Sequence, residues 1–190
     1  MSSFKKHLFA AVRSVMVWSL YVFRFVFGRS FIKMNFRILS QLASANSVLR
    51  VLGASVGKCT HIPADICVYN LDHNSCHKLK IGSNVYIGPR CLFDLTSSIV
   101  IEDDVAISAQ VSFITHLDVG NQPLKQRISR REGPILVKRG AWVGVNTTIL
   151  DNVIIGEFAA VGAMSLVNKG IPECSIAYGV PCKAVRRYSD

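Results

Sequence analysis

The chain has 190 residues, half of them apolar, and its 22 Lys and Arg residues outnumber its 12 Asp and Glu residues, giving a formal net charge of +10 at pH 7. This length suits one well-buried domain with an appendage. The six cysteines show no paired spacing, and no small-residue cleavage site follows the first apolar run. These features argue against a secreted, disulfide-bonded protein and favour reduced thiols in the cytoplasm.

The basic charge is concentrated at the N-terminus. No acidic residue precedes Asp65, whereas residues 1–64 contain nine Lys and Arg residues. From Asp65 onwards, thirteen basic residues are nearly balanced by the twelve acidic ones. The excess charge therefore belongs to the N-terminal segment, and we expect no nucleic-acid partner for the rest of the chain.

Residues 1–50 are predicted to form an apolar, basic, helical segment. Residues 4–27 are the most apolar run, but only ten residues separate Arg13 from Arg24, and a membrane-spanning helix needs about 20 apolar residues. A helix lying in the membrane interface, with its basic residues near anionic lipid, fits this pattern better. Packing against the rest of the chain or another subunit, and spanning the membrane, are the alternatives.

A six-residue repeat begins imperfectly near residue 51 and becomes regular from Ile81. Between Val137 and Val167 it is unbroken, with an aliphatic first place and a small or β-branched fifth place in every six. The first places are Val137, Val143, Ile149, Ile155, Val161 and Val167, and the fifth places are Ala141, Thr147, Val153, Ala159 and Ser165.

A period of six matches neither the 3.6 of a helix nor the alternation of a strand. In a helix, Val137, Val143 and Ile149 would lie on widely separated faces, and ordinary antiparallel strands are a weaker alternative. Each six residues are predicted to form one flat side of a coil. Three sides close a triangular turn, and stacked turns bury an aliphatic column. Residues 51–170 are therefore predicted to be a mainly β domain, a β-helix of hexapeptide repeats.

Two segments lie outside this pattern. Phe113 and Val137 are four sixes apart, yet residues 115–135 are polar, basic and without the repeat. They are predicted to leave the coil as a protruding loop and to rejoin it in register, and long loops on rigid scaffolds are usually functional. Residues 171–190 are predicted to form a short strand, a turn and a final basic helix.

The segment AWVGVNTTILDNVIIGEFAAVGAMSLVNKGIPECSIAYGVPCKAVRR resembles the C-terminal half of the sugar and maltose O-acetyltransferase branch of the hexapeptide-repeat acyltransferases. The resemblance runs from about Ile81 to Arg187. It implies a left-handed parallel β-helix, although the period itself sets no hand. It also implies an acetyl-CoA-dependent O-acetyltransferase that acts on a sugar hydroxyl as a homotrimer.

In the family that this chain resembles, a histidine at the root of the loop takes the acceptor's hydroxyl proton, and the oxygen attacks the thioester of acetyl-CoA directly. The matching residue is His116, and imidazole suits this task because it titrates near neutral pH. Its second ring nitrogen needs a partner, for which Asp94, Asp118 and a backbone carbonyl are candidates. The backbone N–H of Val145, where some relatives have Ser, is predicted to stabilise the developing oxyanion.

The resemblance also implies where CoA binds, between neighbouring subunits. The residues implied are Trp142, Gly144, Val145 and Ala163 for the pantetheine arm, and Asn168, Lys169, Lys183 and Arg186 for the phosphates, with Arg187 a further candidate. Cationic side chains suit phosphate groups. A solvated face of the final helix is the alternative interpretation of the basic tail.

Other functions are weaker candidates. Acetylation of an amino sugar, serine or an antibiotic would use the same site, whereas a carbonic anhydrase would need three histidines, and the coil after residue 80 has His116 alone. A non-catalytic, membrane-tethered scaffold would tolerate the loss of His116. Maltose- and galactoside-type relatives carry Asn where this chain has Gly88, which leaves the acceptor contacts open.

No metal site is expected. The Cys and His residues between 59 and 77 match no standard zinc spacing, and residues 102–104 fit a solvated acidic turn. We expect a cytoplasmic enzyme in peripheral contact with the inner face of the cell membrane. Its acceptor would be a cell-surface polysaccharide or a precursor of one.

Overall fold

The structure is a computed structural model that describes residues 14–22, 25–26, 28, 36–73 and 75–188. The predictions for residues 1–13 and for Arg24, Arg29 and Lys33 therefore lie outside the described residues. The regular repeats from Ile81 to Val167 and the candidate site fall within the described part.

Helices occupy the N-terminal part of the described chain. Residues 14–22, 25–26 and 28 are helical, and α1 (Phe36–Leu42) and α2 (Ala45–Val51) follow. The helix α2 packs against the first strand of the coil and thereby covers that end of the aliphatic column. Within the described ranges, none of the helices combines the length and apolarity needed to cross a membrane.

The rest of the chain is built from short strands. Their bounds are β1 (Ser55–Val56), β2 (Cys67–Tyr69), β3 (Leu79–Ile81), β4 (Tyr86–Ile87), β5 (Leu92–Asp94), β6 (Ile99–Ile101), β7 (Ala106–Ile107), β8 (Ser112–Phe113), β9 (His116–Leu117), β10 (Arg131–Glu132), β11 (Ile135–Val137), β12 (Trp142–Val143), β13 (Thr148–Ile149), β14 (Ile154–Ile155), β15 (Ala160–Val161), β16 (Leu166–Val167), β17 (Ser175–Tyr178) and β18 (Lys183–Arg187).

These strands form three main sheets. Sheet 1 has the order β1-β3-β6-β11-β14, sheet 2 has the order β18-β17-β15-β12-β7-β4, and sheet 3 has the order β16-β13-β8-β5-β2. Consecutive strands such as β6, β7 and β8 belong to different sheets. Within these three sheets every pair of strands is parallel except β17 and β18. The chain therefore coils through three sides per turn, and the prediction of a mainly β protein with parallel sheets is confirmed.

The aliphatic column is continuous through the coil. All six first-place residues from Val137 to Val167 are 0% exposed, and the fifth-place residues are at most 3% exposed. Phe93 and Phe113 stack in neighbouring turns with ring centroids 4.9 Å apart. The six-residue pattern thus reports residues that point into the coil, as predicted.

The corners of the coil depend on two backbone features. The fourth residue of each six adopts left-handed φ values, for example +57° at Asn146 and +54° at Phe158, and this conformation turns the chain from one sheet to the next. The second place is often Gly because the turns approach closely. A Cβ at Gly144 would lie 2.5 Å from the backbone nitrogen of Ala163.

The segment between β8 and β11 leaves the coil after Ile114, whose N–H still donates to Ile149 of the next turn. Its two arms, β9 and β10, pair antiparallel, with Glu132 opposite His116. A short 3₁₀ helix, Pro123–Gln126, lies between them. The strand β11 then pairs with β6 in parallel register.

The predicted basic helix at the C-terminus is wrong, because the segment is the strand β18. It pairs antiparallel with β17, which would otherwise leave an open edge of sheet 2. Unpaired backbone groups at a sheet edge attract another strand, and the chain reverses at Pro181 directly beside that edge. All five residues of β18 are exposed.

Candidate active site

The root of the protruding segment places a histidine against a buried carboxylate. Nδ1 of His116 lies 2.6 Å from Oδ2 of Asp94. Asp94 ends β5 and is fully buried, while the His116 side chain is 23% exposed. The two residues are 22 positions apart in the chain and meet because β5 and β8 are neighbours in sheet 3.

The Asp94 carboxylate is held by five further hydrogen bonds. Oδ1 accepts from Asn70 Nδ2 at 2.9 Å and from the backbone N–H and hydroxyl of Thr96 at 3.1 and 2.8 Å. Oδ2 accepts from the backbone N–H and hydroxyl of Thr115 at 2.9 and 3.0 Å. Both oxygens are therefore fixed before any ligand binds.

These contacts keep Asp94 ionised. Burial by itself would raise the pKa of Asp94, but the hydrogen bonds from His116, Asn70 and Thr96 outweigh it and hold the pKa well below its usual range. A carboxylate that accepts several hydrogen bonds favours its charged form. Asp94 is thus a negative charge beneath the imidazole at any pH near neutrality.

The carboxylate decides which ring nitrogen of His116 is basic. An ionised carboxylate only accepts hydrogen bonds, so we assign the proton of the 2.6 Å contact to Nδ1. In the neutral ring, Nε2 then carries the free lone pair. A histidine held in one tautomer by a carboxylate is suited to accept a proton at the other nitrogen.

His116 lines an open, polar cleft of about 490 Å³. The other lining residues are Asn70, Leu71, Asp72, Lys78, Thr96, Asp118, Arg130 and Glu132. Lys78 is anchored by its Nζ, which donates to the carbonyl of Thr96 at 2.7 Å. The cleft therefore offers both hydrogen-bond donors and acceptors beside the imidazole.

Asp118 does not hold the imidazole. Its Oδ1 accepts from the backbone N–H of Gly120 at 2.8 Å, and its Oδ2 lies 3.8 Å from Nε of Arg130. Of the three predicted partners, the structure brings Asp94 to Nδ1 of His116, and it places Asp118 at the rim of the cleft.

Sequence reasoning missed Asn70, Thr96 and Lys78. Thr96 could have been found, because a residue two places after an Asp is well placed to cap its carboxylate in a local turn. Asn70 and Lys78 carried no such signal. They come from the imperfect first turn and the irregular segment after it, where the six-residue register does not say which positions are neighbours.

The predicted pantetheine-binding residues lie along a different edge of the coil. Trp142 is in sheet 2 and is 45% exposed. Gly144 and Val145 turn from sheet 2 to sheet 3, and Ala163 follows one turn later. The carbonyl of Val145 accepts from Met164, whereas its N–H has no partner within the described residues and is available as a donor.

His116 lies instead at the edge between sheets 3 and 1. One side of six residues separates this edge from the Val145 edge, a distance of up to about 20 Å for an extended chain. His116 and Val145 therefore lie at different edges of the same coil.

The predicted phosphate-binding residues are all at the surface. Asn168 and Lys169 follow β16, at the same edge as His116 but two strands further along sheet 3. Lys183 and Arg186 are in β18, and Arg187 ends that strand. Their charges are thus presented by a strand at the end of sheet 2 rather than by a helix face.

Gly88 does not line this cleft. It follows β4 and turns from sheet 2 to sheet 3. A Cβ there would lie 2.5 Å from the backbone nitrogen of Ala109 in the next turn, so any side chain at this position would require the two turns to shift.

The described residues contain no group of three or more His, Cys, Asp or Glu side chains that could hold a metal ion. None of the six cysteines forms a disulfide within the described residues, and Cys76, Cys91 and Cys182 are buried.

Comparison with known proteins finds relatives over the coil region, although no family model matches the chain. A Staphylococcus aureus protein whose name assigns it provisionally to the acetyltransferases is 37% identical over 109 residues. The galactoside O-acetyltransferase of Escherichia coli is 33% identical over 120 residues. These matches cover 57% of this chain, which spans a little over half the length of these relatives, 55% and 57%.

Solved structures resemble the chain over more of its length. A hexapeptide-repeat acetyltransferase from Vibrio cholerae, complexed with acetyl-CoA, superposes with a TM-score of 0.71 at 21% identity, covering 95% of this chain and 89% of that one. A maltose O-acetyltransferase from Clostridium difficile gives 0.70 at 24% identity, covering 87% and 88%. The chain thus resembles the hexapeptide-repeat acetyltransferases in sequence and shares their fold.

The ionised state of Asp94 predicts how stability depends on pH. Because the pKa of Asp94 is lowered in the folded protein, its stabilising effect is complete above the value of an unfolded Asp, about 3.9, and is lost as pH falls below it. We expect the free energy of unfolding, measured by denaturant titration, to fall on acidification below about pH 4. Asp94→Asn should show a shallower fall.

Asp118→Asn is the matched control, because its carboxylate lies at the rim of the cleft; its pH profile should follow that of the wild type. At neutral pH, Asp94→Asn should also cost roughly 1–3 kcal/mol, because the amide turns a donor towards backbone and hydroxyl donors. Parallel pH profiles for wild type and Asp94→Asn would contradict the stabilising role of the carboxylate.

Proposed function

We propose that the protein is an acetyl-CoA-dependent acyltransferase that acetylates a hydroxyl group of a saccharide. The observation that carries this proposal is the 2.6 Å contact between His116 and the buried Asp94 carboxylate, at the wall of a polar cleft. A hydroxyl group that keeps its proton is a poor nucleophile, and a base at this position can remove that proton during the attack.

The proposed reaction is a direct transfer. Nε2 of His116 takes the proton of the acceptor hydroxyl as its oxygen attacks the thioester carbonyl, and Asp94 stabilises the resulting imidazolium. The backbone N–H of Val145 donates to the oxyanion of the tetrahedral intermediate. The intermediate then expels the CoA thiolate, which takes the proton from Nε2, giving the acetyl ester and free CoA.

The cleft supports a saccharide as the acceptor. It combines the amide of Asn70, the ammonium of Lys78 and the hydroxyl of Thr96, groups that can donate to and accept from several hydroxyls at once. Since this chain has Gly88 where maltose-type relatives carry Asn, we propose a different sugar, within a cell-surface polysaccharide or its precursor. The enzyme would work in the cytoplasm, where acetyl-CoA is supplied.

The two separated edges support a homotrimer as the working form. In a trimer of parallel, left-handed coils, the Val145 edge of one subunit faces the His116 edge of its neighbour. The pantetheine arm of acetyl-CoA would lie between the subunits beside Trp142, Gly144 and Ala163. Its phosphates would meet Asn168, Lys169, Lys183 and Arg186.

One observation favours a second candidate, N-acetylation of an amino sugar. Three carboxylates, those of Asp72, Asp118 and Glu132, line the cleft, and they could hold an ammonium group of the acceptor. The amine would have to lose its proton before it attacks, a step that His116 could also serve. A non-catalytic scaffold has less support, because it has no use for the Asp94 hydrogen-bond network.

The first test is thiol release from acetyl-CoA with a panel of neutral and amino sugars. We expect release to depend on the acceptor and to fall by about 10²–10⁴-fold in His116→Ala, the range for a lost general base. CoA binding, measured by calorimetry, should be retained in that variant. His61→Ala, an exposed histidine of the first turn, is the matched control and should keep wild-type activity.

Failure of the wild type to bind CoA would contradict the enzymatic proposal and favour the scaffold. Release with amino sugars alone, and an amide product by mass spectrometry, would select the second candidate. Full activity in His116→Ala would remove the imidazole from the mechanism.

A shared site between subunits predicts complementation. His116→Ala and the double variant Lys183→Glu/Arg186→Glu should each be nearly inactive, the second because phosphate binding is lost. When the two variants are co-expressed in equal amounts, activity should recover to about one quarter of the wild-type level at most. In randomly assembled oligomers, about one interface in four combines an intact His116 from one subunit with intact Lys183 and Arg186 from its neighbour. Absence of recovery in mixed oligomers would show that each site lies within one chain.

A further inference from the structure

The N-terminal helical residues bury one side and expose an apolar other side. Leu20 is 2% exposed, and Met16 and Val17 pack partly buried against the core. The exposed side, called the apolar face below, consists of Val15, Trp18, Val22, Phe25 and Val26. Trp18 is 75% exposed and Phe25 is 92% exposed.

Within residues 14–22, at 3.6 residues per turn, Val15, Trp18 and Val22 fall within an arc of about 60° that lies opposite to Leu20. The next described residues, Phe25 and Val26, are helical and exposed as well. A helix on the surface of a globular domain ordinarily turns its polar side to water. A contiguous exposed apolar side marks a surface that contacts something other than water.

The charge of the surrounding sequence indicates which kind of surface the apolar face contacts. Residues 1–64 contain nine Lys and Arg residues and no acidic residue, and Arg37, Arg50 and Lys58 are exposed in the described part. The neighbouring helix α1 likewise exposes Ile38 and Leu42, at 59% and 57%. Apolar and aromatic residues in a cationic segment match the headgroup boundary of an anionic bilayer.

A second copy of the chain matches this surface less well. It would bring an equal cationic segment against the first, with no acidic residue before Asp65 to compensate. Like charges brought together in an interface oppose association. An anionic lipid surface supplies both the apolar layer and the negative charge.

We propose that the apolar face docks on an anionic membrane surface. The active-site cleft lies near the docked end of the coil. Sheet 3 starts with β2 at that end, Asp94 ends the second strand and His116 follows the third. His116 is therefore two strand spacings, about 10 Å, from the end of sheet 3 at β2.

Helix α1 is connected to the cleft through one shared residue. Leu71 lines the cleft and also lines a groove that contains Phe36 and Arg37 of α1. Docking would therefore hold the cleft close to the lipid headgroups, where an acceptor attached to a lipid is presented. The docking itself does not depend on acetyl transfer.

Tryptophan fluorescence of the full chain tests the docking. The chain has two Trp residues, Trp18 and Trp142, so Trp142→Phe leaves Trp18 as the only reporter. We expect its emission to shift to shorter wavelength when vesicles containing phosphatidylglycerol are added. Vesicles of phosphatidylcholine alone should give a much smaller shift, and high salt should weaken the response.

Vesicle sedimentation gives the matched comparison. Trp18→Ser/Phe25→Ser should partition onto anionic vesicles at least about tenfold more weakly, because it removes two large apolar side chains from the contact. Met164→Ser changes an apolar residue of similar exposure, 68%, on the coil. It should bind as the wild type does.

Three results would overturn the proposal. The first is no shift of Trp18 emission with anionic vesicles. The second is equal loss of binding in Met164→Ser and Trp18→Ser/Phe25→Ser. The third is an emission shift that grows with protein concentration in the absence of vesicles, which would show that a second copy covers the apolar face.

Discussion

Hydrogen bonding between successive turns of the coil is the constraint on which the rest of the structure depends. Each side pairs in parallel with the side one turn later, so that β6 meets β11 across the whole protruding segment. A slip of one residue would turn the aliphatic positions to the outside. The register therefore also fixes the residues where the segment leaves the coil. Thr115 is fully buried there, and its backbone N–H and hydroxyl donate to the carboxylate of Asp94 one turn earlier.

Much of this architecture was predictable because few folds other than a stacked coil bury an aliphatic residue at every sixth position. The period reports which residues point inwards, and the residues from Val137 to Val167 obey it without exception. The choice between Asp94 and Asp118 was not predictable. It depends on which side chains are stacked in neighbouring turns, and the eight-residue step from Phe93 to Ile101 interrupts the six-residue register between Asp94 and His116. The tail was predicted wrongly because its basic residues suit a helix locally, whereas the open edge beside β17 is a feature of the folded chain.

The proposed chemistry follows from the same stacking. A coil can bury one carboxylate if every lone pair is satisfied, and the residues Asn70, Thr96 and Thr115 do this for Asp94. The buried carboxylate then influences the cleft through His116, because its hydrogen bond to Nδ1 leaves Nε2 as the basic nitrogen. The proposed binding of CoA has the opposite requirement, because its phosphates would need exposed cations. Exposed basic residues, among them Lys169, Lys183 and Arg186, lie towards the other end of the coil. The N-terminal helices, with their apolar face, close the end nearer to the base.

The proposed mechanism depends most directly on Asp94 fixing Nε2 of His116 as the basic nitrogen. Long-range ¹⁵N–¹H correlation spectra of the imidazole ring measure this in protein labelled at histidine. We expect neutral His116 to be protonated at Nδ1 and bare at Nε2, and we expect this preference to be lost in Asp94→Asn while the other four histidines keep their spectra. A neutral His116 that carries its proton on Nε2 in the wild type would contradict the mechanism, because no lone pair would then face the acceptor hydroxyl.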